Sequence, residues 1–322
     1  MKCESCDPMW FYLALSNQQF EHDFGSISSR CKYYEIDEHN NEFDNHKFKN
    51  SFNIISLNIQ SCNHNFVHFT TFLEKLKVQY DVIILTETFL TDATNFTYEI
   101  EGYQSFSSFK TNRRGGVKVF CRNYMNPVQV DILFVNCELY ESLFISLYLA
   151  NGKKLLVGGV YRSPSGSKVD FNNHYENNVL NKLSPGVDCV IGGDFNFNLL
   201  NPYNDKQTDD FSDLMSSKSL SPLITIPTHR CPQTLLPKTL IDHIWSTLPV
   251  HSEAAVFDYH ITHHMATGVL FPDLQTKKMI KIKFRDYNVN NYNKLAHDIV
   301  NILPNFDYDS LSSNELTDSF VT

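Results

Sequence analysis

The sequence predicts an α/β fold in which mixed, largely antiparallel sheets pack together under covering helices. Three observations lead there. From residue 52 onward, short apolar runs alternate with stretches of helical spacing, the pattern of layered strands and helices. Several strand candidates have few helices between them, which argues against a strictly parallel βαβ array. Of the 322 residues, 42% are hydrophobic, with 25 Phe and 16 Tyr; this fills a sizeable core and excludes wholesale disorder.

Taken in order, residues 1–51 show no sustained period and are expected to be poorly structured. Within them, 35–51 is rich in Asn, Asp, Glu and His and reads as a linker. Strands are expected at 52–58, 81–86, 117–121, 143–149, 154–161, 187–191, 240–246 and 266–271, each a short apolar run. Helices are expected at 66–78, where Phe66, Phe69, Leu73 and Leu76 share a face, and at 171–183 and 209–219. After Phe271-Pro272 the pattern changes. A basic stretch from Lys277 to Lys283 precedes Val289, Tyr292, Leu295, Ile299 and Ile302 at helical spacing. The chain thus divides into 1–51, a main domain at 52–271, and a connector with a helix at 272–322. The polar end, 309–322, has no evident stop and reads as an interruption.

Lys and Arg total 27 against 36 Asp and Glu, a net charge of −9. A protein whose only task was gripping phosphate backbones would be basic. The balance favours a carboxylate-rich metal site or a partner other than nucleic acid. No run of 18 apolar residues suggests a membrane span, and the amino terminus lacks a signal peptide's apolar stretch. An intracellular location, nuclear or cytoplasmic, is expected, with the eight Cys as reduced thiols.

Polar residues close the expected strands. Asn58 ends 52–58, Glu87 follows 81–86, Asp194 and Asn196 follow 187–191 through Gly192-Gly193, Asp242 begins 240–246, and His264 follows a run near 256–261. Any one of these alone is ordinarily a turn former or a helix cap. Together they suit phosphoester hydrolysis. Mg²⁺ takes hard oxygen ligands, for which Glu87 and Asp242 are candidates. A carboxylate at Asp194 would orient a water, Asn58 and Asn196 would act as neutral donors, and a His would donate to the charge building on phosphate. The Gly192-Gly193-Asp194-Phe195-Asn196 stretch is the strongest single signal, because two Gly allow a tight backbone and two polar side chains point one way.

In order, Leu57-Asn58-Ile59-Gln60-Ser61, Thr86-Glu87-Thr88, Gly115-Gly116-Val117, Val160-Tyr161-Arg162-Ser163-Pro164, Gly192-Gly193-Asp194-Phe195-Asn196, Thr228-His229-Arg230 and Ile241-Asp242-His243-Ile244-Trp245 form a set. Over about 52–271 this set resembles the endonuclease/exonuclease/phosphatase superfamily. Within it, the chain looks most like the apurinic-type endonuclease domain of LINE-type (non-LTR) retrotransposons. The resemblance implies a four-layer α/β sandwich of two mixed β-sheets flanked by helices. It implies Mg²⁺-dependent cleavage of DNA, with Mn²⁺ as a substitute, and a nick whose 3′-hydroxyl primes reverse transcription. Glu87 would hold the metal with Asn58 beside it. Tyr161 would approach the scissile phosphate, Asp194 would orient the water, and Asn196 would contact phosphate. Asp242 would tune the catalytic His264 or the metal site. Arg162 and Arg230 would bind phosphate. Phe284-Arg285-Asp286-Tyr287 resembles the connector to a reverse transcriptase, a partner domain expected downstream.

One position departs from the family's pattern. Where the family closes with Ser-Asp-His, this chain has Thr262-His263-His264. If that Asp fixes the imidazole, as a triad Asp does, losing it to His263 costs ~10⁴-fold in rate. The alternatives are then a catalytically inactive, transposon-derived binding module, or a phosphatase or phosphodiesterase of the same fold acting on a small phosphoester. Two smaller signals remain open. Cys3-x-x-Cys6 offers two of the four ligands of a structural zinc, with Cys31 and His22 or His39 to complete it, and has the look of a remnant of an upstream zinc module. Arg113-Arg114 is a DNA-backbone contact or a solvated turn.

Overall fold

The computed structural model describes residues 29–44, 48, 50–109, 114–200, 205–248, 251–276 and 297. The chain divides into two compact units at 278/279, and every strand and helix named below lies in the first. In chain order these are β1 (Ser29–Tyr34), α1 (Ile36–Phe43), β2 (Ser51–Asn58), α2 (Cys62–Lys75), β3 (Val82–Thr86), β4 (Tyr103–Ser108), β5 (Val117–Arg122), β6 (Val128–Gln129), β7 (Val135–Asn136) and β8 (Tyr140–Tyr148). Then come β9 (Lys154–Arg162), α3 (Lys168–Asn178), β10 (Asp188–Asp194), α4 (Lys206–Ser217), β11 (Ser221–Pro222), β12 (His229–Arg230), β13 (Pro237–Thr239), β14 (Asp242–Ser246), β15 (Ser252–Phe257) and β16 (Thr267–Gln275).

Two seven-stranded sheets form, both mixed. The first has the order β1-β15-β16-β2-β3-β5-β4; the second runs β11-β14-β10-β9-β8-β6, with β7 also on β8. Strands β2 and β3 are buried from end to end because both faces are covered, so their sequences read as near-continuous apolar runs. Alternate residues split between two cores. Ile54, Val82 and Ile84 join the cluster shared with the second sheet, while Ile55, Leu57, Ile83 and Leu85 meet Phe66, Phe69 and Phe72 of α2. On the far side, Phe171 and Tyr175 of α3 and Phe211 of α4 pack on the second sheet. The expected α/β sandwich is therefore present.

Each sheet contains one parallel pair joined through a helix: β2-α2-β3 in the first and β9-α3-β10 in the second. A parallel pair needs a long crossover, and the helix supplies it. Asn58 pairs with Thr86 at the carboxyl end of one pair, and Asp194 with Tyr161 at the end of the other. Strand β10 packs over β2 and β3. The carboxyl ends of both parallel pairs thus open at one edge of the sandwich. Gly159 permits the sheets to approach, since a Cβ there would stand 2.7 Å from Val117 Cγ1 and 3.1 Å from Ile84 Cγ2; Gly193, with φ +140°, permits the close pairing of β10 with β9, where a Cβ would stand 1.9 Å from the Val160 carbonyl oxygen.

The amino-terminal boundary differs from the sequence reading. Residues 29–44 are neither unstructured nor a linker, because β1 pairs in parallel with β15 and α1 buries His39, Asn40 and Phe43. The polar residues that suggested a linker satisfy the end of α2. Asn40 Nδ2 donates to the Lys75 carbonyl at 2.8 Å, and its Oδ1 accepts from the Lys77 N–H at 2.8 Å. Strands β1 and β4 escaped the apolar pattern because they are edge strands with polar faces. At the other boundary β16 runs past residue 271 to Gln275. Pro272 is tolerated where the ladder to β2 changes register between Phe271 and Gln275. The expected helix after 272 lies outside the described residues, apart from position 297, as do Cys3, Cys6 and His22. His39 is fully buried and its Nε2 pairs with the Tyr80 hydroxyl at 3.2 Å. Among the described residues, no helix is long and apolar enough to cross a membrane.

Two predictions follow from this boundary and core. A chain beginning at residue 45 loses β1 and α1 and exposes the β15 edge; it should aggregate on expression, while one beginning at residue 28 stays monodisperse by gel filtration. Burial also lowers the His39 pKa from 6.5 to about 4. The fold therefore favours its neutral form, so stability is present above pH 6.5 and is lost as the pH falls toward 4. Urea midpoints measured between pH 7 and 4 should fall with a slope that His39→Phe reduces.

Candidate active site

Asn58 stands at the centre. It is the last residue of β2, on the face that looks toward the second sheet, and is almost fully buried. Its amide nitrogen donates at 2.9 Å to Glu87 Oε1 and at 2.9 Å to Asp194 Oδ2. One amide thereby ties a carboxylate of the first sheet to a carboxylate of the second. Its Oδ1 faces the other way, accepting from the Gln60 N–H at 3.2 Å. The amide thus stands beside Glu87 as a neutral donor.

Glu87 follows β3 and has φ +49°, while Gln60 and Phe89 nearby have φ +46° and +52°. Each such non-glycine residue costs ~1–3 kcal/mol and persists only where the surroundings impose it. Here the Glu87 carbonyl accepts from the Ser61 N–H at 2.8 Å, and the Phe89 N–H donates to the Gly115 carbonyl at 2.9 Å. Gly115 has φ +89°, and a Cβ on it would lie 2.4 Å from Glu141 Oε1 and 3.1 Å from Tyr161 Cε1. Tyr161 sits beneath it, across β8–β9 from the fully buried Glu141, which accepts from Ser108 Oγ at 2.8 Å. Burial, then the charges of Glu87 and Asp194, keep the Tyr161 phenol protonated far above its usual range.

Asp194 is 1% exposed. It accepts from Asn58 and, through Oδ1, from the Asn196 N–H at 3.0 Å. Burial, then the charge of Asp242, raise its pKa to about 7, with His264 and Asn58 opposing. Asn196, at φ +54°, gives a side-chain N–H to the Arg162 carbonyl at 2.8 Å.

His264 and Asp242 form a pair. The imidazole Nδ1 lies 3.0 Å from both Asp242 oxygens. Burial alone would lower the His264 pKa; the charge and hydrogen bond of Asp242, then Asp194 and Glu87, outweigh it and raise the value to about 9. The ring is therefore an imidazolium at neutral pH, with Nδ1–H donating to Asp242. Thr228 Oγ1 adds a donor to Asp242 Oδ2 at 2.8 Å. Thr262 Oγ1 donates to the Asn58 carbonyl at 3.0 Å and receives the His264 N–H at 3.1 Å, pinning the imidazole's segment to the end of β2.

His263 stands apart from this pair. The carboxylate on the imidazole comes from β14, not from the residue before His264. His263 is exposed, and its carbonyl accepts from the Arg230 N–H at 2.9 Å. The imidazole contact that a triad Asp makes is supplied here by Asp242.

The two arginines expected to bind phosphate face inward. Arg162 is 1% exposed; its Nη1 donates to the carbonyls of Ser163 at 2.6 Å and Gly166 at 3.2 Å, and it stacks on Phe197 at 4.7 Å. Arg230 is equally buried and pairs with Asp258 at 2.5 Å. A guanidinium is amphipathic and planar, so a sequence motif does not tell a phosphate clamp from a carbonyl clamp. Arg113 lies outside the described residues, and Arg114 is exposed.

Asp194, Asp242 and His264 bring ligand atoms within 4.8 Å of one another, a group able to hold a metal ion. The endonuclease/exonuclease/phosphatase family profile matches residues 55–261, well over half of the chain. The chain belongs to this family. The family's fold is that of hydrolases acting on phosphoester bonds, generally dependent on divalent metal. Solved structures with the same fold include the catalytic domain of Xenopus laevis APE2, at 16% identity and TM-score 0.57, covering 71% of this chain and 94% of that one. The endonuclease domain of TRAS1, a telomere-specific non-LTR retrotransposon, matches at 12% identity and TM-score 0.54, covering 68% and 98%. A mannosyl-6-phosphatase from Bacteroides thetaiotaomicron matches at 12% identity and TM-score 0.50, also covering 68% and 98%. No curated protein matches the sequence.

Sequence reasoning missed Thr228, Thr262 and Glu141, and left open whether Asp242 serves His264 or the metal site. Thr228 and Thr262 lay in motifs already singled out, but a hydroxyl gives no signal of its direction.

Arg162→Met should lower stability by about 2–4 kcal/mol in urea titrations, since the Ser163 and Gly166 carbonyls lose their donor. It should not act as the loss of a phosphate contact, so KM for any phosphoester should stay within about two-fold in folded protein.

Proposed function

We propose that this chain is a divalent-metal-dependent DNA endonuclease of LINE-type retrotransposon origin, hydrolysing a phosphodiester to leave a 3′-hydroxyl. The observation that carries the reading is the Asn58 amide bridging Glu87 and Asp194 beside an intact His264–Asp242 pair. The ordered motifs, with their Tyr161-Arg162-x-Pro164 wording, support the retrotransposon branch, as does the likeness to the TRAS1 endonuclease domain. A reverse transcriptase would follow in the parent element. A reducing compartment suits the free thiols at Cys31, Cys62, Cys121, Cys137, Cys189 and Cys231, in keeping with a nuclear or cytoplasmic location.

The donor chemistry fits Mg²⁺, with Mn²⁺ as a substitute: hard carboxylate oxygens, one of them on the half-buried Glu87. Bound there, the cation would polarise a phosphate oxygen and neutralise developing charge. Glu87 is the residue to hold it, with Asn58 beside it, since Asp242 is committed to His264 and Thr228 and Asp194 to Asn58 and the Asn196 N–H. Asp194, kept in place by Asn58 and the Asn196 N–H, orients the attacking water and takes its proton. His264, charged and backed by Asp242, donates from its other nitrogen to the phosphate as negative charge builds. Tyr161, held neutral, offers a hydroxyl donor to the same phosphate. Asn196 keeps a second amide hydrogen for it.

Supercoiled plasmid incubated with Mg²⁺ should be nicked by the natural chain and not by Glu87→Ala. Asp242→Asn should cost ~10⁴-fold in rate, as loss of a triad Asp does. His263→Asp should change the rate by less than about 10-fold, because no carboxylate is missing from the imidazole. Release of phosphate from small phosphomonoesters with no action on DNA would sink the endonuclease reading in favour of a phosphatase.

A further inference from the structure

We propose that His229 is a positioning residue for His264, holding its imidazole in line with Asp242. The inference rests on the role given to His264 above. Strand β12 is sewn to the His264 segment by two backbone bonds: the Met265 N–H to the Thr228 carbonyl at 2.7 Å, and the Arg230 N–H to the His263 carbonyl at 2.9 Å. His229 and His264 are therefore directly opposed in an antiparallel bridge. Their rings lie 4.6 Å apart between centroids, tilted by 55°. His229 is half-buried, and its own ring is fixed by the Thr239 hydroxyl 3.3 Å from Nδ1.

The physical need is plain. Asp242 holds His264 at one vertex, Nδ1, and a ring held at one vertex can still swing about its χ2 axis. A second contact against the ring face removes that freedom and fixes where the opposite nitrogen points.

The test uses the full-length chain with ¹⁵N-labelled histidine, the His264 Nδ1–H resonance being assigned by its loss in His264→Gln. In His229→Ala the solvent exchange of that proton should speed up about 10-fold and kcat for plasmid nicking should fall about 10-fold. KM should stay within about two-fold. The melting temperature should hold to within a few degrees. His229→Phe, which restores a ring without its nitrogens, should recover both exchange protection and most of kcat. An unchanged resonance and kcat in His229→Ala would overturn the proposal. So would a folded His229→Phe that behaves like His229→Ala, since ring contact would then not be what acts. If the natural chain nicks no DNA, the nuclease reading fails, and the resonance comparison still decides the part played by His229.

Discussion

Burying like charges at the seam between two sheets is the constraint from which the rest of this site follows. Asp194 and Asp242 are both almost fully buried, and Glu87 is close enough to raise the pKa of Asp194. Carboxylates taken out of water repel one another and must find donors or give up their charge. The fold meets this with one amide shared between Glu87 and Asp194, one imidazolium on Asp242, one hydroxyl from Thr228 and one backbone N–H from Asn196. Removing any single donor leaves an uncompensated charge in a dry place. The same arrangement that makes the site costly to assemble makes it able to receive a cation or a phosphate.

The backbone shows where the cost is borne. Gln60, Glu87, Phe89 and Asn196 all take positive φ at the carboxyl ends of the two parallel pairs. Such conformations need rigid surroundings. Two sheets buried on both faces provide that rigidity, and the opposed ends of β2-α2-β3 and β9-α3-β10 place polar side chains from both sheets within one hydrogen bond of each other.

Positive charge is used sparingly. Arg162 and Arg230 brace backbone and a surface carboxylate instead of meeting solvent. Among the described residues, what stands at the centre of the site is the His264 imidazole, its pKa raised by Asp242, Asp194 and Glu87. This accords with a chain of net charge −9: an acidic hydrolase of phosphoesters leans on a bound cation and on local geometry more than on a basic surface.

Strand identity was legible wherever burial on both faces produced an unbroken apolar run, as at 52–58 and 81–86, and the residues ending those strands announced a site through their chemistry. Edge strands β1 and β4 were not legible, since their sequences hold no unbroken apolar run, and Asn40 read as linker because a side chain that satisfies a helix end looks like one that meets solvent. By itself the sequence determined the sandwich and which polar residues stand at its open edge. Only the tertiary structure decided how those residues pair. Asp242 meets His264 from 22 positions away, Asn58 turns its nitrogen and not its oxygen to Glu87, and the arginines turn inward. Those choices depend on side-chain direction across two packed sheets, and periodicity along one chain carries no record of it.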